Sequence, residues 1–271
     1  MHDERPFPCV LTIAGSDSGG GAGIQADLKT FAAHGVHGLT AIAALTAQNT
    51  RGVKAVHLSP ANFLRAQIDA CFEDFEIAAV KIGMLANAAS IRTVADALAR
   101  HRPRWVVLDP VMVATSGARL LDEDALDVLR SRLIPMASLL TPNVPEAERL
   151  LGRTIAECCE SELALCDLMS LGAPAVLLKG GHFDDPERVI DRLAEGPSRA
   201  VFRHPRLDLE AHGTGCTLAS AIAARLGHGA TLLKACEEAT DYVHGALRNS
   251  YRPARSNVAV LDHQWQHRSA T

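Results

Sequence analysis

The feature that most constrains the fold is a repeated alternation between short, β-branched apolar runs and longer segments with helical periodicity. Apolar runs predict strands at residues 9–14, 39–45, 80–85, 105–108, 138–140 and 175–178. The segments between them predict helices at residues 24–34, 60–72, 88–100, 124–133, 145–151 and 161–171. Such alternation predicts right-handed βαβ units, and therefore an α/β fold with a mostly parallel central sheet and helices on both faces.

The later part of the chain follows a different pattern. Residues 188–203 contain two short alternating pieces around Gly196 and Pro197, which predict an antiparallel hairpin at the edge of the sheet. Helices are predicted at residues 217–226 and 231–247. Because no long linker, repeat or low-complexity block interrupts the sequence, we expect a single domain over residues 1–271, with loosely ordered ends at residues 1–8 and 252–271.

Composition excludes several classes of protein. The chain has 27 basic and 31 acidic residues, a net charge of −4, and its basic residues are scattered, so nucleic-acid binding gets no support. No apolar run has the length of a membrane span or the pattern of a signal peptide, and we therefore expect a cytoplasmic protein without a membrane partner. The seven cysteines include no C-x-x-C pair, which argues against a disulfide framework or a zinc site.

Two glycine-rich segments beside predicted helix starts indicate a ligand site. Residues 15–23 hold five glycines but match neither the dinucleotide fingerprint nor the Walker motif, so we interpret them as a substrate loop. Residues 212–217 read HGTGCT, where backbone N–H groups at a helix start favour an anion and Cys216 adds a thiol. The simpler alternative is a tight turn with a threonine cap. His182 and His212 are expected to orient loops rather than bind metal.

Polar and sulfur-containing side chains follow most of the other predicted strands, where parallel sheets bind ligands. The Gln48 amide suits the ring nitrogen and exocyclic amine of an aminopyrimidine, and Met84 suits apolar packing against a ring. Asp109 and Glu146 form a candidate Mg²⁺ pair, although each alone could be a helix cap or a solvated charge. Lys179 is a candidate phosphate partner, with solvent exposure as the alternative.

Several of these segments together resemble one family. They read IAGSDSGGGAGIQADLKT at residues 13–30, QNTRG at 48–52, KIGML at 81–85, TPN at 141–143, KGGH at 179–182 and HGTGCT at 212–217. In order and spacing they are similar to the hydroxymethylpyrimidine/phosphomethylpyrimidine kinases of thiamine biosynthesis, members of the ribokinase-like superfamily. The resemblance runs from about Leu11 to Tyr251.

The resemblance implies a three-layer ribokinase-like sandwich and two phosphorylations with Mg²⁺ and ATP, first of 4-amino-5-hydroxymethyl-2-methylpyrimidine and then of its monophosphate. It also implies a homodimer. The implied pyrimidine site is Gly15, Asp27, Gln48, Met84 and Val111; the metal site is Asp109 and Glu146; the ATP contacts are Asn143, Lys179 and Thr214; and the catalytic set is Lys179, Gly213, Thr214, Gly215 and Cys216.

Cys216 stands where sugar kinases of the superfamily carry an aspartate base. Because helix N-termini lower thiol pKa values, we expect the pKa of Cys216 to lie low enough for it to accept the proton of the substrate hydroxyl. The anion hole is expected to matter at least as much.

The sequence departs from the family at two places. Glu210 and Ala211 replace the usual Asn-Thr before the anion-hole histidine, and the family's glycine-rich segment is missing between Tyr251 and Asp262. The main alternative function is pyridoxal kinase, whose dual-specificity relatives place a second cysteine near Ala114. A non-catalytic ligand-binding regulator is the remaining alternative.

Overall fold

The computed structural model describes residues 7–114, 117–156 and 158–268. Its strands are β1 (Cys9–Asp17), β2 (His37–Asn49), β3 (Gly52–Leu58), β4 (Ile77–Ile82), β5 (Val106–Leu108), β6 (Leu139–Leu140), β7 (Ala175–Leu178), β8 (Arg188–Glu195), β9 (Ser198–Pro205), β10 (Ala211–His212) and β11 (Ala259–Val260). Strands β1 to β9 form one sheet in the order β3-β2-β1-β4-β5-β6-β7-β8-β9, and β10 pairs with β11.

The centre of the large sheet is parallel and its margins are antiparallel. Strands β2, β1, β4, β5, β6 and β7 pair in parallel, whereas β3, β8 and β9 pair antiparallel to their neighbours. The predicted parallel sheet and edge hairpin are confirmed. Strand β3 was not predicted, and β2 continues to Asn49, so Gln48 lies inside a strand opposite Val53.

Helices cover both faces of the sheet. They are α1 (Gly23–Ala33), α2 (Ala61–Asp74), α3 (Ala88–His101), α4 (Ala125–Val128), α5 (Val144–Leu151), α6 (Ser161–Met169), α7 (Thr214–Gly227), α8 (Leu232–Arg248) and α9 (Trp265–Arg268). One apolar core contains residues of α2 to α6 and the other contains residues of α1, α7 and α8. Neighbouring strand residues divide between the two cores, as Val10 and Leu11 do, which confirms the three-layer prediction.

The helix predicted at residues 124–133 is only partly regular. Its α-helical part, α4, ends at Val128 and is followed by a π-helical turn at Leu129–Leu133 and a 3₁₀ turn at Ile134–Met136. Pro135 lies near the start of the 3₁₀ turn, where its missing N–H donor is tolerated.

Part of the C-terminal segment is packed against the body of the protein: residues 259–263 are buried, whereas residues 252–255 are exposed. Leu261 and His263 are buried, and the Tyr242 hydroxyl donates to the carbonyl of His263 at 2.8 Å. A Cβ on Gly245 would overlap the indole ring of Trp265, so the glycine makes room for that ring. Residues 1–6 and 269–271 of the predicted loose ends lie outside the described residues.

Within the described ranges, none of the helices combines the length and the apolar character that crossing a membrane requires.

Candidate active site

A cavity of about 850 Å³ opens at the carboxyl ends of the central strands. This is where open parallel sheets bind ligands. Every predicted site residue except Asp27 lines it, namely Gly15, Gln48, Met84, Asp109, Val111, Asn143, Glu146, Lys179, Gly213, Thr214, Gly215 and Cys216. The structure therefore brings together residues from six strand ends and one helix start.

The predicted anion hole lies at the N-terminus of α7. Gly213 precedes the helix with φ of +86°, and a Cβ there would overlap the carbonyl oxygen of Gly21, so only glycine fits. The first intrahelical bond runs from Thr217 N–H to Gly213 O, which leaves the N–H groups of residues 214–216 for a ligand. The preceding strand β10 is held by β11.

Three charged side chains face this helix start. Lys179 Nζ donates to Asp109 Oδ1 at 2.7 Å and lies 3.7 Å from Glu146 Oε2. A Cβ on Gly215 would lie 3.1 Å from Lys179 Nζ and 3.4 Å from Asp109 Oδ2, so the anion hole and the charged group share one space. The arrangement offers a cation and backbone donors to an anion, and carboxylates to a metal.

Helix α5 fixes Glu146 in place through a capping box. Asn143 Oδ1 accepts from the Glu146 N–H and Glu146 Oε2 accepts from the Asn143 N–H, each at 2.8 Å. The carboxylate is nevertheless directed towards Lys179 and lines the cavity. Glu146 therefore has a structural role besides the predicted metal role.

Burial shapes the charges of this group. Burial, with the nearby Asp109 charge, raises the pKa of Glu146 to about 7, although Lys179 acts to lower it. Burial acts to lower the pKa of Lys179, but the charges of Asp109 and Glu146 outweigh it and raise that pKa. Lys179 is therefore a permanent cation at neutral pH.

Cys216 does not have the lowered pKa that the sequence predicted. Burial raises the pKa of its thiol to about 11, and the charges of Asp27 and Asp109 act in the same direction, against the opposing effect of Lys81. Loss of hydration is the largest influence on this pKa. The thiol of Cys216 is therefore neutral at neutral pH, which differs from the low pKa expected from its place at a helix start.

Asp27 lies beneath the cavity rather than in its wall. Its carboxylate is buried and accepts from Thr12 Oγ1 at 2.6 Å, Ser220 Oγ at 2.7 Å and Lys81 Nζ at 2.9 Å. These bonds satisfy the carboxylate within the protein. The structure therefore gives Asp27 a supporting position instead of the predicted contact with the pyrimidine.

One end of the cavity fits a small aromatic ring. Met84 Sδ would lie 3.0 Å from a Cβ on Gly15, so the glycine lets the thioether form the wall. Met84 packs with Ala44 and Ala86, and Val111 borders the same apolar group. Gln48 adds an amide, next to the polar side chains of Thr46 and His212, so this end combines apolar walls with the polar edge that a heteroaromatic ring needs.

The opposite end of the cavity is lined by apolar residues such as Val243 and Leu247 and by two histidines. The rings of His204 and His244 stack with centroids 4.9 Å apart. The anion hole lies between the two ends. The strand order puts Gly15 and Met84 on one side of the anion hole and His204 on the other, so a ligand in the cavity can extend to either side of it.

Sequence reasoning missed two residues of the site. Asp17 is buried at the end of β1 and accepts from the N–H groups of Gly19, Gly21 and Ala22 at 2.7 to 3.0 Å, which shapes the glycine-rich loop. Lys81 is the buried partner of Asp27. The sequence contained an indication of both residues: Asp17 lies inside a glycine run and Lys81 inside an apolar strand, and both positions are unusual for a solvated charge.

Comparison with known proteins agrees with this geometry. A sequence model of the family described as phosphomethylpyrimidine kinase matches residues 17–260. The hydroxymethylpyrimidine/phosphomethylpyrimidine kinase of Rhizobium meliloti is 50% identical over 241 residues, which cover 88% of this chain and 90% of that protein. The Geobacter sulfurreducens thiamine biosynthesis bifunctional protein ThiED is 50% identical over 92% of this chain, and the chain spans about half, 51%, of that relative.

A solved structure supports the fold. The pyridoxal kinase of Bacillus subtilis, solved as an ADP complex, matches with a TM-score of 0.89 and 32% identity over 97% of this chain and 99% of that chain. The predicted ribokinase-like architecture is confirmed. The family match covers most of the sequence and is supported by a relative that shares half its residues over nearly its full length, so this chain belongs to the phosphomethylpyrimidine kinase family.

Proposed function

We propose that this chain transfers the γ-phosphoryl group of ATP to the hydroxymethyl oxygen of 4-amino-5-hydroxymethyl-2-methylpyrimidine, and then a second group to the resulting monophosphate. The observation that carries the proposal is the meeting of the α7 N-terminus, Lys179 and Asp109 in one cavity, between the ring-sized end and the end beside His204 and His244. The names of the relatives support the choice of substrate.

The anion hole and Lys179 account for the transfer step. Phosphoryl transfer passes through a loose transition state with charge on the equatorial oxygens, so positioning and charge stabilisation do most of the catalysis. The N–H groups of residues 214–216 point from the helix start, and the Lys179 cation lies beside them. A strong base is not needed, which agrees with the neutral thiol of Cys216.

A magnesium ion fits the residues present. Asp109 and Glu146 line the cavity beside the anion hole, whereas no group of three or more ligating side chains occurs among residues 7–114, 117–156 and 158–268. Two carboxylates suit Mg²⁺, which takes its remaining ligands from phosphates and water. When bound, the ion would neutralise charge on the phosphates. Asp109 and Glu146 are the residues that would hold it.

Nucleotide binding is assigned to the end of the cavity beside His204 and His244. Asn143, Lys179 and Thr214 lie on the route from that end to the anion hole and serve as the proposed ATP contacts. The ADP complex of the pyridoxal kinase from Bacillus subtilis supports use of an adenine nucleotide by this fold. That similarity also makes pyridoxal the second candidate acceptor.

Two further proposals concern the whole protein. The antiparallel margin of the sheet exposes Leu45 on β2 and Val56 on β3, which lie on opposite faces because Val56 pairs with Thr46, and a homodimer that encloses this margin would remove both from water. Sedimentation of the wild type and of a double variant, Leu45→Glu with Val56→Glu, tests this.

The function and the net charge of −4 suit a cytoplasmic enzyme.

The direct test of function is incubation with Mg²⁺ and ATP and, separately, the pyrimidine alcohol, its monophosphate or pyridoxal, followed by phosphorus NMR. We expect the monophosphate and then the diphosphate of the pyrimidine. A Gly213→Ala variant, which would collide with Gly21, is the inactive control. Pyridoxal phosphate as the only product would favour the second candidate, and no product from any acceptor would exclude both kinase functions.

A further inference from the structure

Three side chains connect the glycine-rich loop, strand β2 and the strand before the anion hole. His212 Nε2 lies 3.2 Å from Asp17 Oδ2 and 3.0 Å from Gln48 Nε2. Gln48 Oε1 lies 3.1 Å from Thr46 Oγ1. A single ring nitrogen of His212 therefore faces a carboxylate oxygen and an amide at the same time.

Asp17 determines whether that ring nitrogen carries a hydrogen. Although burial acts to raise it, the hydrogen bonds from His212, Gly19 and Ala22 hold the pKa of Asp17 below its usual range. An ionised carboxylate only accepts hydrogen bonds, so a stable contact at 3.2 Å requires a proton on His212 Nε2.

The proton on His212 in turn determines the orientation of the Gln48 amide. An amide nitrogen 3.0 Å from a protonated Nε2 would set two donors against each other. Thr46 shows a related conflict, because its one hydroxyl proton goes to Ser16 O at 2.9 Å and would have to be shared with Gln48 Oε1 at 3.1 Å. Turning the amide over removes the clash of two donors at His212 and leaves the Thr46 proton to Ser16 alone: the amide oxygen then accepts from the His212 Nε2–H, which it shares with Asp17 Oδ2, and the amide nitrogen donates to Thr46.

We propose that His212 is a positioning residue that fixes the orientation of the Gln48 amide and thereby selects a 4-aminopyrimidine over its 4-oxo counterpart. The inference rests on the proposed function. In the turned orientation, one oxygen lone pair on the His212 side and one N–H on the Thr46 side are left for the ligand. An exocyclic amine beside a ring nitrogen matches that order, whereas an oxo group beside a ring N–H presents the reverse.

The ring of His212 is held in place by the loop it contacts. A Cβ on Gly21 would lie 2.8 Å from His212 Cδ2, and Val260 approaches the same space. Gly21→Ala therefore displaces the imidazole without removing any of its polar atoms. This variant therefore tests whether the position of the His212 ring matters, because the ring itself is retained.

The first test is the tautomer of His212 in the intact, ligand-free protein. Long-range nitrogen–proton correlation spectra of ¹⁵N-labelled wild type would be compared with those of His212→Gln, so that the missing ring identifies His212. We expect a proton on Nε2. A ring protonated only at Nδ1 would overturn the inference, because Nε2 would then accept from the amide nitrogen of Gln48.

The second test compares binding of 4-amino-5-hydroxymethyl-2-methylpyrimidine and of its 4-oxo analogue by calorimetry, which does not depend on turnover. In His212→Leu and Gly21→Ala we expect the preference for the amine to fall about tenfold, the size of one oriented hydrogen bond. His212→Gln, which retains an N–H donor, should keep the preference within about threefold. An unchanged preference in His212→Leu would contradict the proposal. If the wild type bound neither pyrimidine, the proposed function and the selection would both fail, and the tautomer would still decide the amide orientation.

Discussion

Lys81 and Asp27 form an ion pair in which neither side chain has exposed surface, with Nζ 2.9 Å from each carboxylate oxygen. The pair lies beneath the reacting region, close enough for the charge of Lys81 to influence Cys216. Burying two charges is tolerated because Thr12 and Ser220 complete the hydrogen bonding of the carboxylate. The floor of the active site is therefore a closed polar network.

Removing one partner of this pair should destabilise the protein. We expect Lys81→Met to lower the free energy of unfolding by about 3–5 kcal/mol, because it leaves the Asp27 carboxylate buried without its cation. Urea denaturation followed by circular dichroism measures the change. The exposed Lys54→Met is the matched control and should cost less than about 0.5 kcal/mol. Equal stabilities of the two variants would show that the network contributes little.

Removing the cation beside the anion hole should impair transfer more than acceptor binding. We expect Lys179→Met to lower kcat at least about a hundredfold, because the cation stabilises charge that develops in the transition state. The dissociation constant of the pyrimidine should change by less than about threefold, since Lys179 lies outside the ring-sized end. Lys234→Met on the surface of α8 is the control. A rise in KM for the pyrimidine at constant kcat would instead assign Lys179 to acceptor binding.

The raised pKa of Cys216 predicts slow alkylation at neutral pH. With a pKa near 11, the thiol should form roughly a hundredfold less thiolate than one at the ordinary value of 9. Mass spectrometry of the Cys216 peptide after timed iodoacetamide treatment from pH 7 to 10.5 measures the rate. We expect the rate to rise throughout this range. A plateau above pH 8 would show a low thiol pKa and restore the base that the sequence predicted.

The buried tail predicts a specific dependence of stability on pH. Burial, with the Lys29 charge, lowers the pKa of His263 to about 4, against 6.5 for an ordinary histidine. Below pH 6.5 the unfolded chain takes up this proton while the folded protein does not, so stability falls as pH decreases from about 6.5 to 4. We expect this residue to account for about 2–3 kcal/mol of that loss.

His263→Gln isolates that effect. The variant should be less stable than the wild type at pH 7, but the difference should shrink by about 2 kcal/mol at pH 4.5, as measured by urea unfolding at both pH values. Gln266→Ala, at an exposed position with no titratable group, should cost the same at both. A pH-independent cost for His263→Gln would mean that His263 has the same pKa in the folded and the unfolded protein.

The sequence predicts the parts of the fold that depend on periodicity. The central strands are apolar runs buried on both faces, as Leu11 and Val10 show by joining different cores, so their pattern alone identifies them. Strand β3 was missed because it is an exposed edge whose Val56 and His57 carry no such signal. The packed tail was missed because it depends on Trp265 filling the space that Gly245 leaves, a contact distant in sequence.

The site also has some features that the sequence predicts and others that only the folded structure reveals. Strand ends and glycine motifs place Gln48, Lys179 and Gly213 in one cavity, since topology brings such positions together. The resemblance implies a pyrimidine contact for Asp27, but a sequence does not show which carboxylate is already satisfied by buried partners. The thiol pKa of Cys216 depends on desolvation and on the charges around it, which only the folded arrangement reveals.

The measurement that tests the central claim most directly is a competition in one tube. Equal concentrations of the pyrimidine alcohol and pyridoxal are incubated with the wild type, Mg²⁺ and limiting ATP, and the phosphorylated products are quantified, so that their initial ratio gives the ratio of kcat/KM values. The account predicts that pyrimidine phosphates dominate by at least about tenfold and that the diphosphate follows the monophosphate. Predominant pyridoxal phosphate would contradict it.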